Sequence, residues 1–407
     1  MNRPADDRPR RSADRHSAAA IFPVFLRLGL RAFGGPIAHL EFFRREFVER
    51  RGWLSAQAYG DLVALCQFLP GPASSQVGIG IGLVRGGLRG AVAAWLGFTL
   101  PSALAMTLFA LLLAHAGGAA QGAWLHGLKL VAVAVVAQAL WGMGRSLCPD
   151  RERASLAVAA ALVAVLLPGT TGQLAVIALG AAAGRWLLRP PPEVAHAPLH
   201  VPLRRRTAVA LLAAFGVLLV GLPLLAAALS SPALAEFAGF YRAGALVFGG
   251  GHVVLPLLQS LVVPPGWVSN ADFLAGYGAA QALPGPLFAF AAFLGAASQQ
   301  PPGGWAGAAI ALVAIFLPGF LLVAGSLPLW AGLRRHPAMR SAMQGINAAA
   351  VGLLLAAFYD PVWTAAIHRP QDFVVALAAL LLLQVWRAPP WAVVVSGAAV
   401  AGMLGWT

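Results

Sequence analysis

The segment Gln67-Phe-Leu-Pro-Gly-Pro72 interrupts an apolar stretch and returns later in the chain as Gln281-Ala-Leu-Pro-Gly-Pro286. Proline lacks the backbone N–H that a helix interior requires, and glycine readily adopts left-handed backbone conformations. A Pro-Gly-Pro triplet inside an apolar stretch therefore ends one helix and begins another. Its recurrence predicts two related halves, each with a broken helix at the same place.

Further matches extend this similarity outward from the triplet. They are Arg27-Leu-Gly-Leu-Arg-Ala-Phe-Gly-Gly35 with Arg242-Ala-Gly-Ala-Leu-Val-Phe-Gly-Gly250, Gly52-Trp-Leu-Ser55 with Gly266-Trp-Val-Ser269, Leu100-Pro101 with Leu317-Pro318, and Gly127-Leu-Lys129 with Gly345-Ile-Asn347. The offset runs only from 214 residues (Gly52 to Gly266) to 218 residues (Gly127 to Gly345). An ordered series at nearly constant spacing indicates an internal repeat.

The composition places the repeat in a membrane. Of the 407 residues, 59% are hydrophobic and 10% are charged, and the mean hydropathy is +0.77. Apolar stretches such as 91–113, 207–229 and 308–329 approach or exceed the roughly 20 residues that a spanning helix needs. The net charge of +14 does not indicate nucleic-acid binding, because most of the excess is arginine in loops, where it orients a membrane protein.

The predicted domain organisation follows from the repeat and from one unpaired apolar segment. It comprises a polar Arg-rich N-terminal tail (1–20), a first repeat (21–188), a Pro/Arg-rich cytoplasmic linker (189–206), a connecting transmembrane helix (207–229) and a second repeat (237–407). An unpaired crossing between two similar units inverts the second unit relative to the first.

The distribution of arginine supports this inversion. Loop 44–51 has four arginines, and its second-half equivalent 264–272 has none. The relation reverses further along, where 115–124 has no Lys or Arg and its equivalent 331–340 has three Arg. Lys and Arg accumulate on the cytoplasmic side of an inner (plasma) membrane. The N-terminus is therefore predicted to be cytoplasmic and the C-terminus periplasmic.

The same rule predicts re-entrant hairpins. The tail, loop 44–51 and turn 85–89 are all basic, so segments 21–43 and 57–84 each begin and end inside, yet each is too short to cross twice. The predicted fold class is an all-α polytopic membrane protein with two inverted-topology repeats, about nine full spans and four re-entrant hairpins. One tilted span over 22–43 remains an alternative.

The four breaks define a candidate anion site. Unpaired N–H groups and the positive end of the dipole meet at a helix start, and broken helices persist in a membrane only where protein or a wet cavity surrounds them. A cation at membrane depth costs roughly 2.5–3.5 kcal/mol, so Arg27, Arg31 and Arg242 favour an anionic substrate, although Arg27 could also extend to the cytoplasmic surface. The predicted substrate-binding residues are Arg27, Arg31, Gly34, Gly35, Pro36, Gln67, Pro70, Gly71, Pro72, Ser74, Ser75, Arg242, Gly249, Gly250, Gly251, Gln281, Pro284, Gly285 and Pro286. His39, Glu41, Asp61, Lys129 and Asn347 are predicted to support the site or to couple protons.

Three segments together resemble the signature of the chromate ion transporter family. They are Phe33-Gly-Gly-Pro-Ile-Ala-His39, Arg51-Gly-Trp-Leu-Ser55 and Leu65-Cys-Gln-Phe-Leu-Pro-Gly-Pro72. The similarity covers both halves, as in the long two-domain members. It implies export of chromate from the cytoplasm and chromate resistance, with sulfate as a mimic or competitor. The second half departs from the signature, because Gly251 replaces the proline of the first break and Val254 replaces the histidine.

Two other functions remain open at this stage. One is a sulfate or other oxyanion carrier without a role in chromate transport. The other is a membrane-embedded enzyme, which we rank lower because the chain has neither a dinucleotide-binding fingerprint nor a haem or Fe–S cysteine pattern. No metal or cofactor is predicted. The lipid bilayer is the expected partner, and the sequence leaves open whether the protein forms a homodimer.

Overall fold

The computed structural model of the protein describes residues 16–115, 122–190, 201–330 and 336–403, and within these ranges it is helical without strands. The first half contains α1 (Ala18–Gly29), α2 (Gly35–Arg44), α3 (Ala56–Phe68), α4 (Ala73–His115), α5 (Ala123–Leu147), α6 (Arg151–Leu166) and α7 (Thr170–Leu187). After α8 (Arg205–Leu229) come α9 (Pro232–Ala245), α10 (Val254–Val262), α11 (Asn270–Ala280), α12 (Phe290–Ala297), α13 (Gly304–Ser326), α14 (Pro337–Ala357), α15 (Pro370–Gln384) and α16 (Pro390–Met403). Most of the predicted tail and the centre of the linker lie outside the described residues.

Within the described ranges, five helices are long and apolar enough to cross a membrane: α4, α5, α8, α13 and α14. The chain is therefore an all-helical polytopic membrane protein. Only Ala208 and Ala226 of α8 are buried and much of the helix is exposed, which suits a helix that faces lipid on one side. The other four predicted spans, α6, α7, α15 and α16, are 16, 18, 15 and 14 residues long. They are shorter than the roughly 20 residues of a full crossing.

Helix α4 is two antiparallel arms rather than one rod. Gly87 has φ 61° and ψ −157°, which is not helical. A Cβ placed on Gly82 would lie 2.4 Å from the carbonyl oxygen of Gly90, whereas eight residues of straight helix span about 12 Å. The chain therefore reverses at the basic turn that the sequence places on the cytoplasmic side. Gly295 and Gly307 make the corresponding contact between α12 and α13.

The ends of the segments predicted to be re-entrant meet at one place in each half. The His16 N–H donates to the Arg85 carbonyl at 2.9 Å, and the His16 ring lies 4.8 Å from the Trp53 ring. In the second half the Gln299 N–H donates to the Trp267 carbonyl at 2.8 Å, and the Gln300 amide donates to the Pro232 carbonyl. Each segment thus returns to the end where it starts, and its re-entrant position in a membrane stays a prediction.

The halves exchange helices. Helix α5 of the first half packs against α15 and α16, and α14 of the second half packs against α6 and α7. Glycines set both contacts, since a Cβ on Gly127 would lie 2.4 Å from the Gly397 carbonyl oxygen and one on Gly345 would lie 2.0 Å from that of Gly180. Each half therefore contributes one long helix that packs against two short helices of the other half.

We expect Gly127→Ala to lower the melting temperature of the detergent-purified protein, because the added methyl group meets a backbone oxygen that cannot rotate away. Overpacking of this kind costs about 1–3 kcal/mol. The matched control is Gly142→Ala on the same helix, where a Cβ meets nothing within 4 Å. Equal melting temperatures for the two variants would contradict the close α5–α16 contact.

Candidate functional site

The four predicted breaks are interruptions of the helical backbone, and each contains glycine in a left-handed conformation. The φ angles are 103° at Gly34, 123° at Gly71, 146° at Gly250 and 102° at Gly285. Residues with a Cβ rarely adopt this region. The sequence pattern therefore identified the points where the chain changes direction.

Two crossed backbone hydrogen bonds join the breaks of opposite halves. The Gly71 N–H donates to the Val247 carbonyl at 2.7 Å, and the Gly285 N–H donates to the Ala32 carbonyl at 3.0 Å. Gly71 and Gly285 are equivalent in the repeat, and so are Ala32 and Val247. Groups freed by breaking one half's helices are thus satisfied by the other half, as backbone in an apolar surrounding requires.

The remaining two breaks touch at the same junction. A Cβ on Gly251 would lie 3.4 Å from Cγ of Pro36, and Gly251 is the residue that replaces this proline in the second half. The space beside Gly285 and Ser102 is too small to hold a water molecule. The structure therefore brings all four breaks together in a closed arrangement.

Helix starts surround this junction. α2 begins at Gly35 with Pro36 in its first turn, and short 3-10 turns beginning at Gly251 and Leu287 lead into α10 and α12. No side chain caps any of these three starts. The fourth start, at Ala73, follows Pro72. Uncapped helix starts direct N–H groups and partial positive charge toward the break, which favours an anion.

His39 ties the first half's helices to the junction. Its Nε2 lies 3.0 Å from the Ala32 carbonyl oxygen, the same oxygen that accepts from Gly285, and its Nδ1 lies 3.3 Å from Ser74 Oγ. A carbonyl can only accept, so Nε2 carries the hydrogen, and in the neutral ring Nδ1 accepts from the Ser74 hydroxyl. The hydrogen of Ser74 is therefore engaged and not available to a substrate.

Polar atoms near the breaks remain without a partner among the described residues. Ser74, Ser75 and Gln76 are all buried in the first turn of α4, and the Gln76 amide donates to the Pro70 carbonyl at 2.8 Å. Near the breaks, the buried atoms without a partner among the described residues include Ser75 Oγ, Gln76 Oε1, Thr99 Oγ1 and Gln281 Nε2. Of the two predicted serines, Ser75 therefore retains a free hydroxyl. Such buried polar atoms call for an occupant or a conformational change.

The three predicted arginines occupy different surroundings. Arg27 and Arg31 are exposed at the end of α1, whereas their relative Arg242 is half-buried. Arg242 lines a cavity of about 10 Å³ together with Gln173 of α7. The described contacts do not bring the three guanidinium groups together, and their role in substrate binding stays a prediction.

Gln173 separates this small cavity from a larger one of about 210 Å³. The larger cavity lies between the α6–α7 turn, α10 and the segment after α14, and its polar residues include Gln259, Ser260 and Asp360. Gln173 Nε2 donates to the Pro256 carbonyl at 3.1 Å and to Ser260 Oγ at 3.0 Å. Gln173 is not among the residues that the sequence predicts for the site, because its only signal there is a single amide in an apolar helix.

The other predicted residues are dispersed. Gln67 is exposed, and its relative Gln281 is partly buried. Glu41 accepts hydrogen bonds from Arg44 and Arg45 at the exposed end of α2, so it is already paired. Asp61 is buried in α3. Lys129 on α5 and Asn347 on α14 are half-buried at equivalent positions.

Comparison with known proteins identifies the family. The model of the chromate transporter family matches residues 19–185 and 234–404, one stretch in each half. The chain belongs to the chromate transporter family. Each stretch contains the two breaks of its own half, and α8 lies between the two stretches. The unpaired helix thus stands outside the unit that the family model describes.

Relatives resemble the chain over nearly its full length. The chromate transport protein of Pseudomonas aeruginosa is 30% identical over 403 residues, covering 95% of this chain and 91% of that protein. The chromate transport protein of Cupriavidus metallidurans is 26% identical over 401 residues, covering 97% and 95%. A probable chromate transport protein of Synechococcus elongatus is 27% identical over 402 residues, covering 96% of each. No solved structure matches the chain.

Proposed function

We propose that the protein exports chromate from the cytoplasm across the inner membrane, and that the oxyanion binds where the four helix starts meet. The observation that carries this proposal is the convergence of these starts, joined by the Gly71 and Gly285 hydrogen bonds. Backbone N–H groups and the unpaired Ser75 hydroxyl are donors suited to a tetrahedral oxyanion. The breaks separate when the site opens, as expected for broken helices in alternating access.

Chromate as the cargo rests on the relatives, two of which are named chromate transport protein and a third probable chromate transport protein. Sulfate has the same tetrahedral shape and charge, so it is the natural competitor. A carrier of sulfate or another oxyanion is the second candidate, favoured by donors that read shape and charge rather than the central atom. Competition by sulfate distinguishes shared binding from a chromate-selective site.

The membrane potential favours export. A dianion that leaves a cell with a negative interior gains about 4.6 kcal/mol per 100 mV, from about 2.3 kcal/mol for each charge. This corresponds to roughly three decades of concentration gradient. Uptake of the same ion would require coupling to several cations. The potential alone therefore suffices to drive efflux, and proton exchange can add to it.

In each half, the ends of the segments predicted to be re-entrant meet at one place. The proposed orientation puts the meeting point of the first half, which has basic residues, on the cytoplasmic side, and the meeting point of the second half, which has none, on the outside. Arg51 and Arg85 lie over Trp53 in the first half, with Cζ 5.5 Å and 5.8 Å from the ring centroid. The equivalent point in the second half has Gln299, Gln300 and Trp267 and no basic residue. Retention of basic residues on the cytoplasmic side then places the halves in opposite orientations.

Transport of radiolabelled chromate into everted vesicles tests the function, with unlabelled sulfate as competitor. We expect Arg242→Gln to reduce uptake more strongly than Arg27→Gln, because Arg242 is half-buried beside a cavity and Arg27 is exposed. Loss of a charged donor costs about 1.5–3 kcal/mol, or roughly 10- to 100-fold in affinity. Full activity in both variants would exclude a role for these arginines, and sulfate transport without chromate transport would favour the second candidate.

Removal of the Ser75 hydroxyl provides a sharper test of the binding site. We expect Ser75→Ala to raise the KM for chromate about tenfold without lowering the melting temperature, because the lost hydroxyl has no partner in the closed protein. Thr107→Val is the matched control on the same helix, since Thr107 is equally buried but its hydroxyl donates to the Ala103 carbonyl at 2.8 Å, away from the breaks. An unchanged KM in Ser75→Ala would place the oxyanion elsewhere.

Thiol labelling tests the orientation. In a variant whose native Cys66 and Cys148 are replaced by alanine, Arg89→Cys and Gln299→Cys introduce single exposed thiols at the two meeting points. A membrane-impermeant maleimide added to intact spheroplasts should label the second variant and not the first, since the proposed inversion places only Gln299 outside. Labelling of both thiols, or of Arg89→Cys alone, would rule out the proposed inversion.

A further inference from the structure

Glu236 in the second turn of α9 is a carboxyl group enclosed by protein. Its relative exposure is 1%, and neither carboxyl oxygen has a hydrogen-bond partner among the described residues. The side chain lies at the close approach of α12 and α13, where Oε1 is 3.4 Å from the position of a Cβ on Gly307. It is part of neither the junction of the breaks nor the cavity beside Arg242.

Among the residues that the structure describes, no cation lies beside this carboxyl on the helices packed against it. The helices packed against α9 are α8, α10 and α13, and α10 and α13 contain no ionisable residue. Arg205 and Arg206 are at the start of α8, roughly 35 Å of helix away from the end that leads into α9. On α9 itself, the Tyr241 hydroxyl donates to the Phe215 carbonyl. Arg242 is six residues further along, about 9 Å up the helix axis.

A buried carboxyl group without a counter-charge is stable only when it is protonated, because an isolated carboxylate in an apolar surrounding loses its hydration without compensation. Glu236 therefore holds a proton in the closed protein. The group can ionise only when a conformational change brings water or a cation to it.

Packing alone does not require an acid here. The equivalent position in the first half is Ile21, whose Cδ1 would lie 2.9 Å from a Cβ on Gly90, just as Glu236 adjoins Gly307. An isoleucine fills this space in the first half with apolar atoms. The carboxyl group in the second half thus stands where the first half has an apolar side chain, and packing does not account for it.

The location also provides a source of protons. Glu236 follows Pro232 by one helical turn, and the Pro232 carbonyl accepts from Gln300 at the uncharged meeting point of the second half. In the proposed orientation this point faces the outside. The carboxyl group therefore lies about 6 Å along the helix from the outer end of α9.

We propose that Glu236 is a proton-binding site through which the protein exchanges an external proton for an internal oxyanion. This rests on the proposed function and adds the coupling ion to it. The proton enters from the outside, is held on the carboxyl group while the breaks are closed, and leaves to the cytoplasm when the opposite face opens. Each cycle moves a dianion outward and a proton inward, so the potential and the pH gradient act in the same direction.

Everted vesicles loaded with a pH-sensitive dye test this inference. A potassium diffusion potential, positive inside the vesicle, drives chromate entry, and the alkalinisation of the lumen per chromate is measured. We expect Glu236→Gln, which resembles the protonated acid, to retain chromate entry but to lose alkalinisation at least tenfold. Glu236→Ile, which restores the residue of the first half, should behave in the same way. Glu49→Gln, at an exposed acid, is the control and should resemble the wild type.

The outcomes separate this inference from the proposed function. Unchanged alkalinisation per chromate in both Glu236 variants, or chromate entry without proton movement in the wild type, would overturn the inference and leave chromate transport intact. Absence of chromate transport in the wild type would overturn the proposed function itself. Loss of alkalinisation with retained chromate entry supports both.

Discussion

The fold depends on one constraint: a helix broken at membrane depth must find new partners for its backbone. The chain meets this constraint with the crossed hydrogen bonds from Gly71 to Val247 and from Gly285 to Ala32. Because each half completes the backbone of the other, neither half can close its breaks alone. The same bonds hold the uncapped helix starts together, so the feature that stabilises the closed protein also concentrates partial positive charge at its centre.

Exchange of helices extends this mutual dependence beyond the centre. α5 packs with α15 and α16 of the other half, and α14 packs with α6 and α7. The glycine contacts at Gly127 and Gly345 bring these backbones close, which is how helices associate tightly when both sides are equally apolar. The four short helices pair around the two long ones, and this arrangement gives a place to segments too short for a full crossing.

The two halves have different side chains at several equivalent positions near the proposed sites. The first half has Ser74 and Ser75 after its second break, where the second half has Phe288 and Ala289. The second half has Glu236 where the first has Ile21. In the proposed mechanism the donors for an oxyanion lie mainly in one half and the proton site in the other. A two-fold architecture permits this because the backbone supplies the symmetric part of the site and the side chains supply the rest.

The sequence by itself determined the membrane class, the repeat, the positions of all four breaks and the basic turn at Gly87, because proline, glycine and arginine act locally and at fixed spacing. Only the tertiary structure decided which atoms remain available. Ser74 is engaged by His39 while Ser75 is not, Arg27 is exposed while Arg242 is half-buried, and Glu236 has no partner. These differences arise from contacts between segments about 35 to more than 200 residues apart, such as Ser74 with His39 and Gly285 with Ala32, and periodicity along the chain carries no record of them.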